Sequence, residues 1–150
     1  NPFLLAAMIW RARRPSKTAD MPARRNSFWL RKGYDALTFF GTIVTATDED
    51  AHHMNAHYDA LKNHEMIHLR QAQSCGDSWL RFYVLYFWYY LRALPQNRRL
   101  RNAAYWLNPF EMEAYRHMYD LDYLSDKPDG ASEWRQWARM NPANRLEHLV

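Results

Sequence analysis

The chain has 150 residues, enough for one domain with a hydrophobic core, and its apolar fraction of 48% excludes an intrinsically disordered protein. A single cysteine, Cys75, excludes an internal disulfide and a zinc site built from cysteines. The formal charge of +4 is not accompanied by zinc-finger spacing or an aromatic–basic motif, so we expect no nucleic-acid partner.

The first 32 residues are strongly basic. They carry a net charge of +7, which leaves about −3 on the rest of the chain. Such a segment is typical of an arm that meets anionic lipid, and equally of a solvated extension. We therefore expect residues 1–33 to form a basic N-terminal extension and residues 34–150 to form the folded domain. Within the extension, Phe3 to Trp10 is short, apolar and followed by arginines, which resembles the end of a trimmed anchor or signal.

Residues 36–45 are rich in β-forming side chains and predict a short edge strand or a hairpin, with Gly41 at the bend. An amphipathic helix is predicted next, from Met54 to Gln73. Its apolar stripe contains Met54, Tyr58, Leu61 and Ala72. The side expected to face solvent carries Asp59, Lys62, Asn63, Arg70 and Gln73.

This helix carries His64, Glu65 and His68, which form the HExxH pattern of zinc hydrolases. Residues four apart share one face of a helix, so both imidazoles can bind one metal ion while Glu65 faces the water that the metal activates. Glu65 and His68 fall inside the apolar stripe, and His64 falls at its edge. A buried glutamate needs a partner that offsets its desolvation, and a metal with its water is such a partner. The alternative is a buried polar cluster that satisfies its own hydrogen bonds.

Other histidines compete for a role at the metal. If one helix ran from about Asp48, His53, His57, His64 and His68 would form a stripe, and His57 could reach a metal near His64. Against this, ligands seven residues apart lie about 10 Å apart along a helix axis. His52 and His148 are expected at the surface.

A second helix is expected to start at Asp77 or Ser78, after a cap at Gly76, and to end at Pro95. Its candidate membrane segment, Trp79 to Leu91, contains Arg81, and the part from Phe82 to Leu91 is apolar on all sides. The uncharged run is shorter than the roughly 20 residues that a membrane span requires. We expect burial on most sides in the core, with partial insertion at a membrane surface as the alternative.

The third metal ligand is expected beyond Pro95. Asn108 can cap a helix, Pro109 suits its first position, and Glu111 follows three residues after the cap. Glu111 could therefore be a ligand or could close a capping box. Glu113 is the substitute ligand. The helix is expected to reach about Leu124, with a turn over residues 126–130 and a last helix from Ser132 to Met140 after it.

Two motifs carry a resemblance. Asn63-His64-Glu65-x-Ile67-His68-x-Arg70-Gln71 followed by Pro109-Phe110-Glu111-x-Glu113-Ala114-Tyr115 is similar to small bacterial zincin-like proteins that read NHExIHxRQ and PFExEAY. The Glu111-x-x-Ala114 spacing resembles the second motif of the gluzincins. The resemblance implies Glu111 as the third ligand and an edge strand beside the active-site helix that pairs with extended substrate.

One position departs from the gluzincin pattern, because Tyr115 stands where many gluzincins have an aspartate that orients the first histidine. Asp120, Asp122 or a backbone carbonyl are then the candidates for orienting His64. Tyr115 and His117 are also candidates for stabilising a developing oxyanion, or are packing residues.

These observations predict a mainly α (α+β), zincin-like domain that binds Zn²⁺ through His64, His68 and Glu111. With Glu65 as general base, the expected function is metallopeptidase-like hydrolysis of an amide in a peptide or protein. The alternative is a non-catalytic, zinc-stabilised interaction or membrane-surface module. Either a cytoplasmic or a membrane-associated location is compatible with the sequence.

Overall fold

The structure is a computed structural model that describes residues 14–18, 20–26 and 36–149. The described part is mainly helical with one small sheet, in agreement with the predicted fold class. Its strands are β1 (Ala23–Arg25), β2 (Ala36–Phe39) and β3 (Thr42–Thr45). Its α-helices are α1 (Asp48–Ala56), α2 (Ala60–Ser74), α3 (Trp79–Ala93), α4 (Ala103–Trp106), α5 (Pro109–His117), α6 (Trp134–Ala138) and α7 (Pro142–Arg145). Short 3₁₀ helices span Pro15–Lys17, Leu94–Arg98 and Leu146–His148.

The sheet has the order β1-β3-β2, with β1 parallel and β2 antiparallel to β3. Strands β2 and β3 form a hairpin in which Phe39 pairs with Thr42. The two residues between them, Phe40 and Gly41, have φ angles of 45° and 82°. Two consecutive positive φ values are the mark of a type I′ turn, whose twist matches that of the flanking strands. Of the two forms predicted for residues 36–45, the structure has the hairpin, and β2 is an edge strand of the described sheet.

The predicted boundary between residues 33 and 34 is wrong for the described part of the N-terminal segment. Strand β1 pairs with β3, and Met21 and Ala23 are buried in the core. The Nζ of Lys62 donates to the carbonyl of Met21 at 2.7 Å. These residues therefore belong to the domain. The apolar stretch from Phe3 to Trp10 lies outside the described residues.

The predicted helix from Met54 to Gln73 is interrupted. His57 has an extended backbone (φ −130°, ψ 140°), and Asp59 begins the next helix by accepting a hydrogen bond from the amide of Lys62 at 2.9 Å. The expected start at Met54 is therefore wrong, and so is a continuous helix from Asp48. Because the chain turns between α1 and α2, His57 is not in line with His64.

Helix α2 is buried on nearly all sides rather than amphipathic. Lys62, Asn63 and Gln73 were expected to face solvent but are at most 9% exposed. The N-terminal segment covers this side: Lys62 also pairs with Asp20 at 3.0 Å, and the Nε2 of Gln73 donates to the carbonyl of Pro15 at 3.2 Å. Partners from distant parts of the chain therefore override the helical periodicity.

Helix α3 follows α2 as predicted, after positive φ at Gly76 and with a cap at Ser78, whose hydroxyl accepts from the amide of Arg81. It ends at Ala93, two residues before Pro95. One face is buried, with Trp79, Phe82 and Ala93 at its centre. The opposite face is exposed, so the expected burial on most sides is wrong. Among the described residues, no helix is both long and apolar enough to cross a bilayer.

Helix α5 ends at His117, short of the predicted Leu124, and Asn63 binds carbonyls at and just after its end. Its Nδ2 lies 3.0–3.1 Å from the carbonyl oxygens of His117, Met118 and Asp120. A side chain of α2 thus satisfies the end of α5. Helix α6 is also shorter than the predicted span from Ser132 to Met140.

Candidate metal centre

Helices α2 and α5 supply the side chains of the site. His64, Glu65 and His68 lie on α2, and Glu111 lies in the first turn of α5. The Oδ1 of Asn108 accepts from the amide of Phe110 at 3.2 Å, so Asn108 caps α5 as predicted. The fully buried Ala114 packs in one cluster with Ile67 of α2, and a small residue there lets the two helices approach.

Glu111 does not close a capping box. In that arrangement its carboxylate would accept from the amide of Asn108. Instead, that amide donates to the carbonyl of Tyr105 at 3.0 Å, and the Oε1 of Glu111 accepts from the hydroxyl of Tyr86 at 2.7 Å. The structure thus directs the Glu111 carboxylate toward α2 and α3.

Two imidazole nitrogens and one carboxylate converge between the helices. The Nε2 atoms of His64 and His68 are 3.1 Å apart. Glu111 Oε2 lies 3.2 Å from His64 Nε2, and Glu111 Oε1 lies 3.5 Å from His68 Nε2. Ligands of a tetrahedral zinc ion at its usual bond lengths are separated by about 3.3 Å. The two imidazole nitrogens and the two oxygens of the Glu111 carboxylate have separations close to this value, and His64, His68 and Glu111 form one group able to hold a metal.

The group is buried and charged. His64, Glu65, His68 and Glu111 are each only 4–6% exposed. Burial alone would lower the pKa of His64, but the adjacent carboxylate of Glu111 and the charge of Glu65 raise it above its ordinary value. For Glu111, burial alone would raise the pKa, because it also disfavours the charged form. The two histidines and the Tyr86 hydroxyl nevertheless hold the pKa of Glu111 well below its usual range. The group thus consists of an anionic carboxylate, that of Glu111, beside two imidazoles.

Gln71 fixes the tautomer of His68. The Nε2 of Gln71 donates to the carbonyl of Phe110 and to Glu113 Oε2, each at 2.9 Å, so its Oε1 is an acceptor. That Oε1 lies 2.8 Å from His68 Nδ1, which must therefore carry the proton. The lone pair of His68 is consequently on Nε2, the atom that faces His64 and Glu111.

No such partner orients His64. Its Nδ1 is buried without a hydrogen-bond partner among the described residues, so neither Asp120 nor Asp122 nor a carbonyl has the predicted role. The ring of Tyr115 instead packs against His64 at 4.5 Å between centroids. The Tyr115 hydroxyl lies 2.9 Å from that of Tyr105. Tyr115, the residue that departs from the gluzincin pattern, therefore contacts His64 through ring packing.

Glu65 is held by the edge strand. The hydroxyl of Thr38, which is buried on β2, donates to Glu65 Oε2. The backbone carbonyl of the same residue, Thr38, accepts a hydrogen bond from the hydroxyl of Tyr83 at 2.8 Å. Strand β2 therefore lies beside the HExxH helix and contacts its glutamate directly.

Glu113 is not available as the substitute ligand. Its Oε1 accepts from the hydroxyl of Tyr123 at 2.8 Å and the amide of Glu133 at 3.1 Å. Its Oε2 accepts from Gln71 and from the amide of Trp134 at 3.1 Å. Four donors occupy this fully buried carboxylate, which anchors the start of α6.

The remaining histidines lie elsewhere. His117 is paired with Glu133 at 2.8 Å and stacked on Tyr123 at 3.7 Å, so the structure places it in the α5–α6 packing rather than at the candidate metal centre. His57 is exposed and stacked on His53 at 4.6 Å. His52 and His148 are at the surface, as predicted.

Sequence reasoning missed Thr38, Gln71 and Tyr86, which contact Glu65, His68 and Glu111 respectively. Gln71 lies three residues after His68 on the same helix, and this spacing predicts a contact between the two side chains. Thr38 and Tyr86 come from other elements, and no local pattern connects them to the site.

No family model, curated protein or solved structure matches the chain. The likeness to the gluzincins therefore stays a prediction from the two motifs.

Proposed function

We propose that the protein is a zinc-dependent hydrolase of the metallopeptidase kind, in which His64, His68 and Glu111 hold Zn²⁺ and Glu65 is the general base. The observation that supports this most is the convergence of two buried imidazole nitrogens and the buried Glu111 carboxylate, with separations of 3.1–3.5 Å and with Glu65 on the same helix as the two histidines. Two imidazoles and one carboxylate are the His₂Glu donor set of several catalytic zinc sites.

The donor atoms fit a cation. Glu111 Oε2 is buried and lies 3.2 Å from His64 Nε2, but it accepts no hydrogen bond among the described residues. A buried, anionic oxygen without a donor is costly, and a metal ion would relieve that cost. The Nε2 lone pair of His68 points to the same place. Imidazole and carboxylate ligands are compatible with zinc, which prefers tetrahedral coordination.

Each side chain then has a role. When bound, zinc would polarise a carbonyl and lower the pKa of the attacking water. Glu65 accepts the proton of that water and transfers it to the leaving amine, while the Thr38 hydroxyl holds the carboxylate in place. His68 is kept in one tautomer by Gln71, and Glu111 is oriented by Tyr86.

The edge strand favours an extended peptide as substrate. Strand β2 is an edge of the described sheet and contacts the general base through Thr38. Leu37 and Phe39, which flank Thr38, are about two-fifths exposed. An extended chain can add to such an edge by backbone hydrogen bonds. Tyr83 already occupies the Thr38 carbonyl, so the pairing would use the other outward groups of β2.

The burial of the site favours a second candidate function, a non-catalytic module that zinc stabilises. Ligands that are only 4–6% exposed leave little access for a substrate, and closed sites are typical of structural zinc. In this alternative the Thr38 hydroxyl simply satisfies Glu65. Zinc would then raise the stability of the protein without supporting turnover.

A paired measurement separates the two. The purified protein, and the protein stripped and reloaded with zinc, are assayed for metal content and for cleavage of a peptide library. Hydrolysis that disappears in Glu65→Gln while zinc content is unchanged supports the hydrolase; the exposed Glu147→Gln is the matched control. Zinc uptake without cleavage favours the structural module. A protein that takes up no zinc overturns both.

A further inference from the structure

The outward side of α3 is an exposed apolar surface. It consists of Leu80, Val84, Phe87, Trp88, Leu91 and Leu94, and we call this set the apolar face. The first four of these side chains are 55–60% exposed. At about 100° per residue they lie along one side of the helix, opposite Phe82 and Ala93 in the core. Contiguous exposed apolar surface of this kind marks an interaction site.

The charge around the apolar face has a single sign. Between Asp77 and Glu111 the sequence has no acidic residue and five arginines. Those arginines are exposed, and none of them forms an ion pair with another described residue: Arg81, Arg92, Arg98, Arg99 and Arg101. On the helix, Arg81 and Arg92 follow Trp88 around the circumference and border the apolar face. A partner for this surface must accept apolar side chains and carry negative charge.

An anionic lipid surface meets both requirements. Tryptophan and arginine are at home where acyl chains meet charged headgroups, and a basic side chain near an anionic bilayer adds to binding. Helix α3 has 15 residues, about 22 Å, and is too short to span a bilayer. Its inner face is fixed in the core, since Phe82 packs on Phe110 at 4.7 Å. The helix can therefore only lie along the interface, with the domain above it.

We propose that the apolar face and its bordering arginines dock the folded protein on an anionic membrane surface, with α3 in the plane of the interface. Such docking requires neither bound zinc nor turnover. A protein partner would need an acidic apolar groove, and a second copy of the chain would place the same arginines against each other. Charge complementarity therefore favours lipid.

The test uses the full chain and vesicles of phosphatidylcholine alone or with phosphatidylglycerol. Sedimentation measures the partition coefficient of the wild type and of three double variants. Phe87→Ser with Trp88→Ser removes apolar surface, and Arg81→Gln with Arg92→Gln removes the bordering charge. The control is Tyr119→Ser with Leu121→Ser, which removes exposed apolar side chains after α5. Circular dichroism verifies that each variant is folded.

We expect binding to the anionic vesicles only, reduced at least tenfold in the apolar and the arginine variants and unchanged in the control. The basic N-terminal segment is the same in all of them. If every variant binds equally well, that segment alone is responsible and the proposal is overturned. A wild type that does not bind anionic vesicles also overturns it. So does a concentration-dependent dimer in sedimentation velocity that the apolar variant abolishes, because the occupant is then a second copy.

Discussion

Glu111 and Glu113 are both buried on α5, two residues apart, but their surroundings differ. Glu113 accepts four hydrogen bonds, from Gln71, Tyr123 and the amides of Glu133 and Trp134. Glu111 accepts one, from Tyr86, and its Oε2 has none among the described residues. A carboxylate that the protein satisfies itself holds the fold together, whereas one left with an open oxygen beside two imidazoles is suited to a cation.

Replacement of Glu113 should have the largest effect on stability. In Glu113→Gln, an amide NH₂ faces donors that previously met a carboxylate oxygen, so at least two buried donors lose their acceptor. We expect the free energy of unfolding to fall by about 3 kcal/mol or more. Denaturant unfolding in excess chelator measures it. A loss below about 1 kcal/mol would show that this carboxylate is not the anchor of α6.

Replacement of Glu111 should instead act through the metal. With free zinc at about one hundred times Kd, binding stabilises the wild type by about 2.7 kcal/mol. Glu111→Gln should lose most of this increment, while its stability in chelator stays within about 1 kcal/mol of the wild type. Melting with and without zinc gives both values. Full retention of zinc affinity in Glu111→Gln would contradict the ligand assignment, and the proposed difference in role between Glu111 and Glu113 would no longer hold.

Gln71 joins the two carboxylates, because it contacts Glu113 through Nε2 and His68 through Oε1. Gln71→Ala frees the tautomer of His68, and we expect zinc affinity to fall about 10- to 100-fold. A competition titration with a chromogenic chelator measures this. The matched control is Gln73→Ala on the same helix, since Gln73 bonds the carbonyl of Pro15 instead. Equal losses in the two variants would mean that helix stability, not ligand orientation, is being measured.

Tyr86→Phe is the smallest of the changes. It removes one hydroxyl and the hydrogen bond that orients Glu111, which is worth about 1 kcal/mol, or roughly fivefold in zinc affinity. The same chelator titration detects it. Tyr89→Phe, also on α3, should leave the affinity unchanged.

The three side chains that converge at the candidate metal centre could be predicted because they depend on local rules. The spacing of His64 and His68 requires only a helix, and Asn108 and Pro109 mark where the helix that carries Glu111 begins. The same reasoning failed where distant segments decide. Lys62 and Asn63 are polar, and only the N-terminal segment and the carbonyls after α5 explain their burial.

The break between α1 and α2 teaches a similar lesson. Asp59 is a good helix cap, but a polar residue in a continuous helical pattern does not by itself mark an interruption. The buried face of α3 also could not be predicted, because a segment that is apolar on all sides has no polar side that identifies the face exposed to solvent. Tyr86 therefore could not be placed beside Glu111 from the sequence.

Helix α3 touches Glu111 through Tyr86 on one side and carries the apolar face on the other. A binding partner that shifts this helix would change the position of Glu111, the proposed metal ligand, and hence the expected affinity for zinc. Thermodynamic linkage then requires zinc to change the affinity of that partner by the same factor. Zinc binding at the buried site and docking of the apolar face would thus be coupled through α3.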